Sequence, residues 1–210
     1  MIDLEEQEQV DALKAWWKQH GNTVIMAVAV FVAVVAGIQG WRVYQYKQGQ
    51  QAAALYEFVQ SGVQSKDIKK IREAAGQIID KFPGTPYAAR AALISARANY
   101  EAGDNKSAKA QLQWVMDNAK EDSLQDDARL RLAGILLDEK NYADALKLLD
   151  AKHGKAYDGL YSDLKGDVLS AEGHFGEARK AYLAALEKTD QKSPFRKFIQ
   201  VKLDSLGEGK

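Results

Sequence analysis

Residues 164–186 read Leu164-Lys-Gly-Asp-Val-Leu-Ser-Ala-Glu-Gly-His-Phe-Gly-Glu-Ala-Arg-Lys-Ala-Tyr-Leu-Ala-Ala-Leu186. Small and apolar residues recur at three- and four-residue intervals on both sides of Gly173-His174-Phe175, the pattern of two helices joined by a tight turn. In the second helix Ala178, Tyr182 and Ala185 share one face. The first helix carries Gly166, and a residue that small lets two helices approach where a larger side chain would hold them apart.

The same arrangement recurs upstream. Ala75 is followed by Ile79 and Phe82, and Ala108 by Leu112 and Val115. Ala145 is followed by Leu149, although Lys152 takes the next apolar position. These alanines and Ala178 stand 33, 37 and 33 residues apart, and 12 residues before the last three lie Ala96, Ala133 and Gly166, all small. The turns ahead of them are Gly103-Asp-Asn-Lys, Lys140-Asn-Tyr and Gly173-His-Phe. The first unit is the least regular: its leading helix must be Ala52–Ser61, and Phe82-Pro83-Gly84-Thr85-Pro86 separates it from the next pair. No single pair can bury its apolar face, so the units must stack. Ser193-Pro194 opens a last helix, in which Phe195, Phe198, Ile199, Val201 and Leu203 alternate with Arg196, Lys197 and Lys202, as a capping helix should. With only 3 prolines in 210 residues, little else interrupts helix. The spacing near 34, the small residue in the first helix and the Ala-x3-aromatic-x2-Ala of the second resemble the tetratricopeptide repeat.

Ahead of the repeats, no charged residue lies between His20 and Arg42, and Thr23–Ile38 is apolar almost throughout. A helix needs roughly 20 such residues to cross the hydrocarbon of a bilayer. The valines and their neighbours favour insertion by about 3–5 kcal/mol at most. Trp16, Trp17, Trp41, Tyr44 and Tyr46 flank the run at both ends, where interfacial aromatics collect. Val34-x-Ala36 offers a small-residue cleavage site, but the preceding leader carries Asp3, Glu5, Glu6, Glu8 and Asp11 where a signal peptide has a short basic region. An uncleaved anchor is therefore expected. Asp3 with Glu6 has capping-box spacing, and Val10, Leu13 and Trp17 share a face, which predicts an amphipathic helix over 4–19 ended by Gly21. Lys14 and Lys18 balance Arg42 and Lys47, so charge leaves orientation nearly undecided. Ala29, Ala33 and Gly37 form a small-residue stripe on which a partner helix could dock. The expected organisation is a cytoplasmic amphipathic segment at 1–21, a transmembrane helix at 22–44, a Gln-rich hinge at 45–51 and a repeat domain with its cap at 52–210. The fold class is all-α, a tetratricopeptide-like helical-hairpin solenoid on a single N-terminal transmembrane helix.

Composition narrows the function. Lys+Arg and Asp+Glu are both 29, so the positive surplus that displaces counterions from nucleic-acid phosphates is missing. Cysteine is absent, which removes disulfides, thiolate metal sites and thiol catalysis. His20, His153 and His174 are far apart and sit in no metal motif. Asp122-Ser-Leu-Gln-Asp-Asp lacks the glycine and closing glutamate of a calcium loop and reads as a helix start. Asp163 and Asp167 lie one turn apart, but a solvated repeat face explains them better than a catalytic dyad. No enzyme chemistry and no cofactor are expected. Mapping the first helices of the pairs to a concave surface makes Arg90, Leu93, Arg97, Asp127, Leu130, Asp163 and Asp167 the candidate partner contacts.

The order of parts is itself distinctive. An acidic leader with Trp16-Trp17 runs to Gly21, a single span closes in Gly40-Trp41-Arg42-Val43-Tyr44, and an alanine-rich repeat domain follows. This resembles the YfgM family, the ancillary subunits of the SecYEG translocon of Gram-negative bacteria, with the junction from Gln9 to Tyr46 the most specific part. The resemblance implies an inner-membrane protein with a cytoplasmic N-terminus and periplasmic repeats. It implies association with SecYEG and with the membrane-anchored chaperone PpiD, a part in passing emerging proteins to periplasmic chaperones, and a second part in restraining an envelope stress regulator. A scaffold for division or cell-wall machinery is the alternative, and self-association is left open.

Overall fold

The computed structural model describes residues 2–207, with side chains from residue 6 onward. Among the described residues there are nine α-helices, a short 3-10 turn at Lys155–Tyr157 and no strand. The chain divides into two compact units, Met1–Gln48 and Gly49–Lys210.

The first helix, α1, runs without interruption over Ile2–Ser65. Two expectations are corrected by it. Gly21 does not end a separate amphipathic helix: it lies inside α1, where a Cβ would come within 3.1 Å of the Trp17 indole, so glycine gives that ring a seat against the backbone. Residues 45–51 are helical rather than a hinge. Gln and Lys, which make up most of this stretch, are good helix formers, and the single Gly49 costs only about 1 kcal/mol against them. The capping box expected at Asp3 falls outside the described side chains. Within α1, Val28, Phe31, Val32 and Ile38 are all exposed. Among the described residues α1 is the one helix long and apolar enough to cross a membrane. Leaving so large an apolar surface in water would be unfavourable, which fits a membrane-spanning segment.

In the second unit the end of α1 is followed by α2 (Ile68–Lys81), α3 (Pro86–Glu101), α4 (Asn105–Asn118), α5 (Asp122–Asp138), α6 (Tyr142–Leu149), α7 (Asp158–Glu172), α8 (Phe175–Lys188) and α9 (Phe195–Ser205). The pairs are α1–α2, α3–α4, α5–α6 and α7–α8, with α9 closing the end, as the alanine spacing requires. Ala75, Ala108, Ala145 and Ala178 are each fully buried. Rather than one central core, four buried clusters succeed one another along the chain. Val59, Ile71, Ile78 and Phe82 form the first, and Leu112, Val115 and Leu132 the second. Tyr161 packs with Leu149 and Val168 in the third, and Tyr182 with Ile199 and Leu203 in the fourth. Each cluster draws on neighbouring helices only, which is the nearest-neighbour logic of a solenoid. Gly166 shows why the small-residue position exists: a Cβ there would lie 2.5 Å from the Tyr182 ring.

The turns inside the pairs repeat as strictly as the core. Lys66, Gly103, Lys140 and Gly173 have φ of 55°, 79°, 60° and 92°, so each pair turns on one left-handed residue. The next residue begins the second helix. Asp67, Asp104 and Asn141 accept from the backbone N–H of Lys70, Ser107 and Asp144, satisfying a donor that the helix start leaves open. His174 takes the equivalent place without a side-chain cap. The longer α6–α7 connection is stapled by Asp126, a buried carboxylate that accepts from the backbone of Gly154 at 2.9 Å and from Arg129 at 2.7 Å. The helix-start acid cluster thus supplies a structural clamp. At the far end α9 buries Ile199 and Leu203, whereas Phe198 and Val201 remain exposed.

Candidate partner-binding groove

The first helices of the pairs expose an open groove in the second unit. Its larger lobe, about 860 Å³, is floored by Tyr56, Ile68, Ile71, Leu93 and Ile94, with Val63 and Lys66 at its edge. A smaller lobe, about 320 Å³, follows along Tyr100, Leu112, Ile135, Leu137 and Leu164. Arg97 and Arg131 line both lobes. The floor is apolar, and the charged residues along both lobes are Lys66, Arg97, Arg131, Glu101 and Asp138. Apolar floors with a few placed polar groups are what peptide grooves use for affinity and orientation.

Each arginine is held by an acid of its own helix. Arg97 donates through Nε to Glu101 at 2.7 Å, and Arg131 through Nε to both oxygens of Asp127 at 2.9 and 3.0 Å. The hydroxyl of Tyr100 donates to Asp138 across the α3–α5 contact, a bond that raises the tyrosine pKa and keeps the phenol protonated.

The expected contact residues divide among different jobs. Leu93 and Arg97 are in the groove, but Leu93 is buried in its floor rather than exposed. Asp127 serves by orienting Arg131, and Leu130 is half-buried against the α5–α6–α7 core. Arg90 lies outside both lobes and ties α3 to α5 through Glu121 at 2.9 Å and to the Pro86 carbonyl at 2.7 Å. Asp163 and Asp167 are not a solvated face. The Lys202 ammonium of α9 donates to Asp163 at 2.8 Å and to Asp167 at 2.7 Å, and the Tyr182 hydroxyl donates to the second oxygen of Asp167 at 2.8 Å. Asp163 is itself buried, and its remaining oxygen has no protein partner. Burial raises the Asp163 pKa, with Lys202 pulling the other way. Burial lowers that of Lys202, but the bonds from the two aspartates outweigh it and the net shift is upward. The Tyr182 pKa is pushed far up by burial and by Asp167. This ion triad locks α9 onto α7. Ala29, Ala33 and Gly37 lie on the uncovered apolar part of α1, and beside Gly37 there is open space.

Arg131, Ile94 and Leu164 were missed, yet a register signal marks them. Each stands two residues before Ala133, Ala96 and Gly166, the small position that the repeat spacing had already located.

No three of His, Asp and Glu among the described residues gather as metal ligands do. His153 stacks on Tyr161 with ring centroids 3.9 Å apart and fills a structural place.

Solenoid, groove and uncovered apolar helix together define a tetratricopeptide-like repeat protein carried on a single candidate membrane span. The family described as tetratricopeptide repeat-like domain matches residues 14–208. Among curated relatives, the ancillary SecYEG translocon subunit of Neisseria gonorrhoeae is 34% identical over 207 residues, covering 97% of this chain and 98% of that one. Proteins of the same description from Haemophilus influenzae and Escherichia coli are 28% and 26% identical, covering 97% and 96% of this chain and 98% and 96% of their own lengths. The chain belongs to this family, the YfgM family of ancillary SecYEG translocon subunits.

Proposed function

We propose that the chain is a non-enzymatic scaffold, anchored in the inner membrane by residues 22–44, that associates with SecYEG and presents its groove to proteins on the periplasmic side. The amphipathic leader at 1–21 stays in the cytoplasm, and 52–210 forms the periplasmic repeat domain. The stripe of Ala29, Ala33 and Gly37 offers the close-approach face for a membrane helix of the translocon. The groove serves periplasmic partners, PpiD among them, so that proteins leaving the translocon meet a chaperone near the exit. The observation that carries this reading is the succession, in one chain, of an apolar helix with no protein cover and an open groove with an apolar floor.

Photo-crosslinking residues placed at Ala33 and at Val63 in the full chain test the two faces separately. Capture of a SecYEG subunit from Ala33 and of a periplasmic chaperone from Val63 is the expected outcome. Septal or wall-building enzymes in their place would move the protein to the envelope-scaffold reading.

A further inference from the structure

The two arginines of the groove share an arrangement that an apolar peptide groove does not require. Both line both lobes. Both are tied to an acid one turn away on their own helix, and in both the tie uses Nε alone. The η nitrogens of Arg97 and Arg131 have no partner among the described residues. With the Arg97 and Arg131 side chains 70% and 44% exposed, the Nε tie orients each guanidinium without burying it and leaves the forked end, which matches a carboxylate with two parallel hydrogen bonds, open to a ligand. Around them lie Leu93 and Ile94 at one lobe and Ile135 and Leu164 at the other, and of the lining carboxylates Glu101 is taken by Arg97 and Asp138 by the Tyr100 hydroxyl.

We propose that the groove recognises a segment of a partner protein in which a side-chain carboxylate is flanked by apolar residues, the carboxylate received by the free forks of Arg97 and Arg131. The inference rests on the scaffold reading above and gives the groove its chemistry. Glu101 and Asp127 are positioning residues here: they hold the guanidinium planes and leave the outer nitrogens open. The larger lobe alone, about 860 Å³, lies at the upper end of small-molecule pockets, and the smaller one continues it, so an extended or helical peptide fits better than a metabolite.

The full chain in phosphatidylcholine nanodiscs is titrated with two fluorescein-labelled peptides. One is built of leucine, serine and glycine around a single central glutamate, and its twin carries glutamine instead. The glutamate peptide is expected to bind about tenfold tighter, as charge-assisted bidentate pairs outweigh neutral ones, and the preference should shrink with added salt. In the Arg97→Ala, Arg131→Ala double variant the preference should vanish, with thermal unfolding unchanged as the folding control. In the Arg97→Lys, Arg131→Lys variant part of it should remain, because the charge is kept and the fork is lost. Equal binding of the twins, absence of binding by either, or a preference that survives both alanines would overturn the proposal. Co-purification from mild detergent separates the two readings. Wild-type chain that retains SecYEG but treats the twins alike refutes the carboxylate recognition alone, and wild-type chain that retains no SecYEG refutes the scaffold.

Discussion

Replacing Lys202 by methionine removes the ammonium that joins α9 to α7 while keeping an unbranched, apolar side chain in its place. Wild type holds Asp163 and Asp167 on one cation at 2.8 and 2.7 Å. Without it the Asp163 carboxylate loses its one protein partner, since its other oxygen already has none. Removing one member of a fully buried ion pair costs about 3–5 kcal/mol. Here the Asp163 side chain is 7% exposed, but those of Lys202 and Asp167 are 33% and 25% exposed. Solvent screens part of the loss, and about 2–3 kcal/mol is expected. A terminal helix in a nearest-neighbour stack opens before the rest. The readout is therefore amide hydrogen exchange of residues 199–205 in the full chain, which should quicken about 30- to 150-fold while α3 and α4 keep their protection. Adding Asp163→Asn to Lys202→Met removes one stranded charge and should recover a good part of the protection. Unchanged exchange in α9, or no recovery in the double variant, would refute the reasoning.

The same triad sets a pH dependence. Folding raises the Lys202 pKa, so the folded chain holds that proton more tightly than the unfolded one. Its contribution is complete below the ordinary value of 10.5 and is lost as pH rises through the higher folded value, so wild type and Lys202→Met should converge in urea unfolding only in that alkaline window. Lys140 adopts φ 60°, where its repeat equivalents at 103 and 173 are glycine. Lys140→Gly relieves a left-handed cost of about 1–2 kcal/mol at an entropic cost of about 0.5–1 kcal/mol, and should raise Tm by a few degrees in a thermal melt. A fall in Tm would show that the lysine side chain makes a contribution beyond its backbone. Asp126→Ala strips the α6–α7 staple, leaves the Gly154 N–H without its acceptor and leaves Arg129 with only its long contacts to the Lys152 carbonyl and the Tyr161 hydroxyl. Urea unfolding should show a loss of about 3 kcal/mol, and a loss under 1 kcal/mol would contradict the buried-clamp assignment.

The repeat grid could be read from the amino acids because burial leaves so few choices. Where two helices touch at Gly166 and Tyr182, a Cβ has no room, and at the equivalent positions 96 and 133 the sequence allows only alanine, the smallest side chain. The turns were legible at Gly103 and Gly173 for a similar steric reason, and at Lys140 from the repeat spacing. At Lys66 a residue less suited to the left-handed region hides the same turn. The continuity of α1 was not legible, because isolated glycines among good helix formers are tolerated and their local context decides. Within the groove the register was sound and the offset partly so. Leu93, Leu130 and Asp163 stand three residues before the small position, and of these Leu93 alone reaches the groove, as part of its buried floor, whereas Ile94, Arg131 and Leu164, two before it, all line the lobes. The clamp on Asp163 and Asp167 depends on Lys202, which is 39 and 35 residues away, a partnership that local periodicity does not encode.

The absence of cysteine makes the central claim directly measurable, because any thiol introduced is unique. Gln7→Cys and Ser205→Cys chains, full length and expressed in Gram-negative cells, are exposed to a membrane-impermeant maleimide from outside intact spheroplasts. If residues 22–44 span the inner membrane and tether the repeat solenoid on its outer side, the thiol at 205 labels at once and the thiol at 7 labels only after permeabilisation. Labelling of both positions from the same side would contradict the span, and with it the scaffold built upon it.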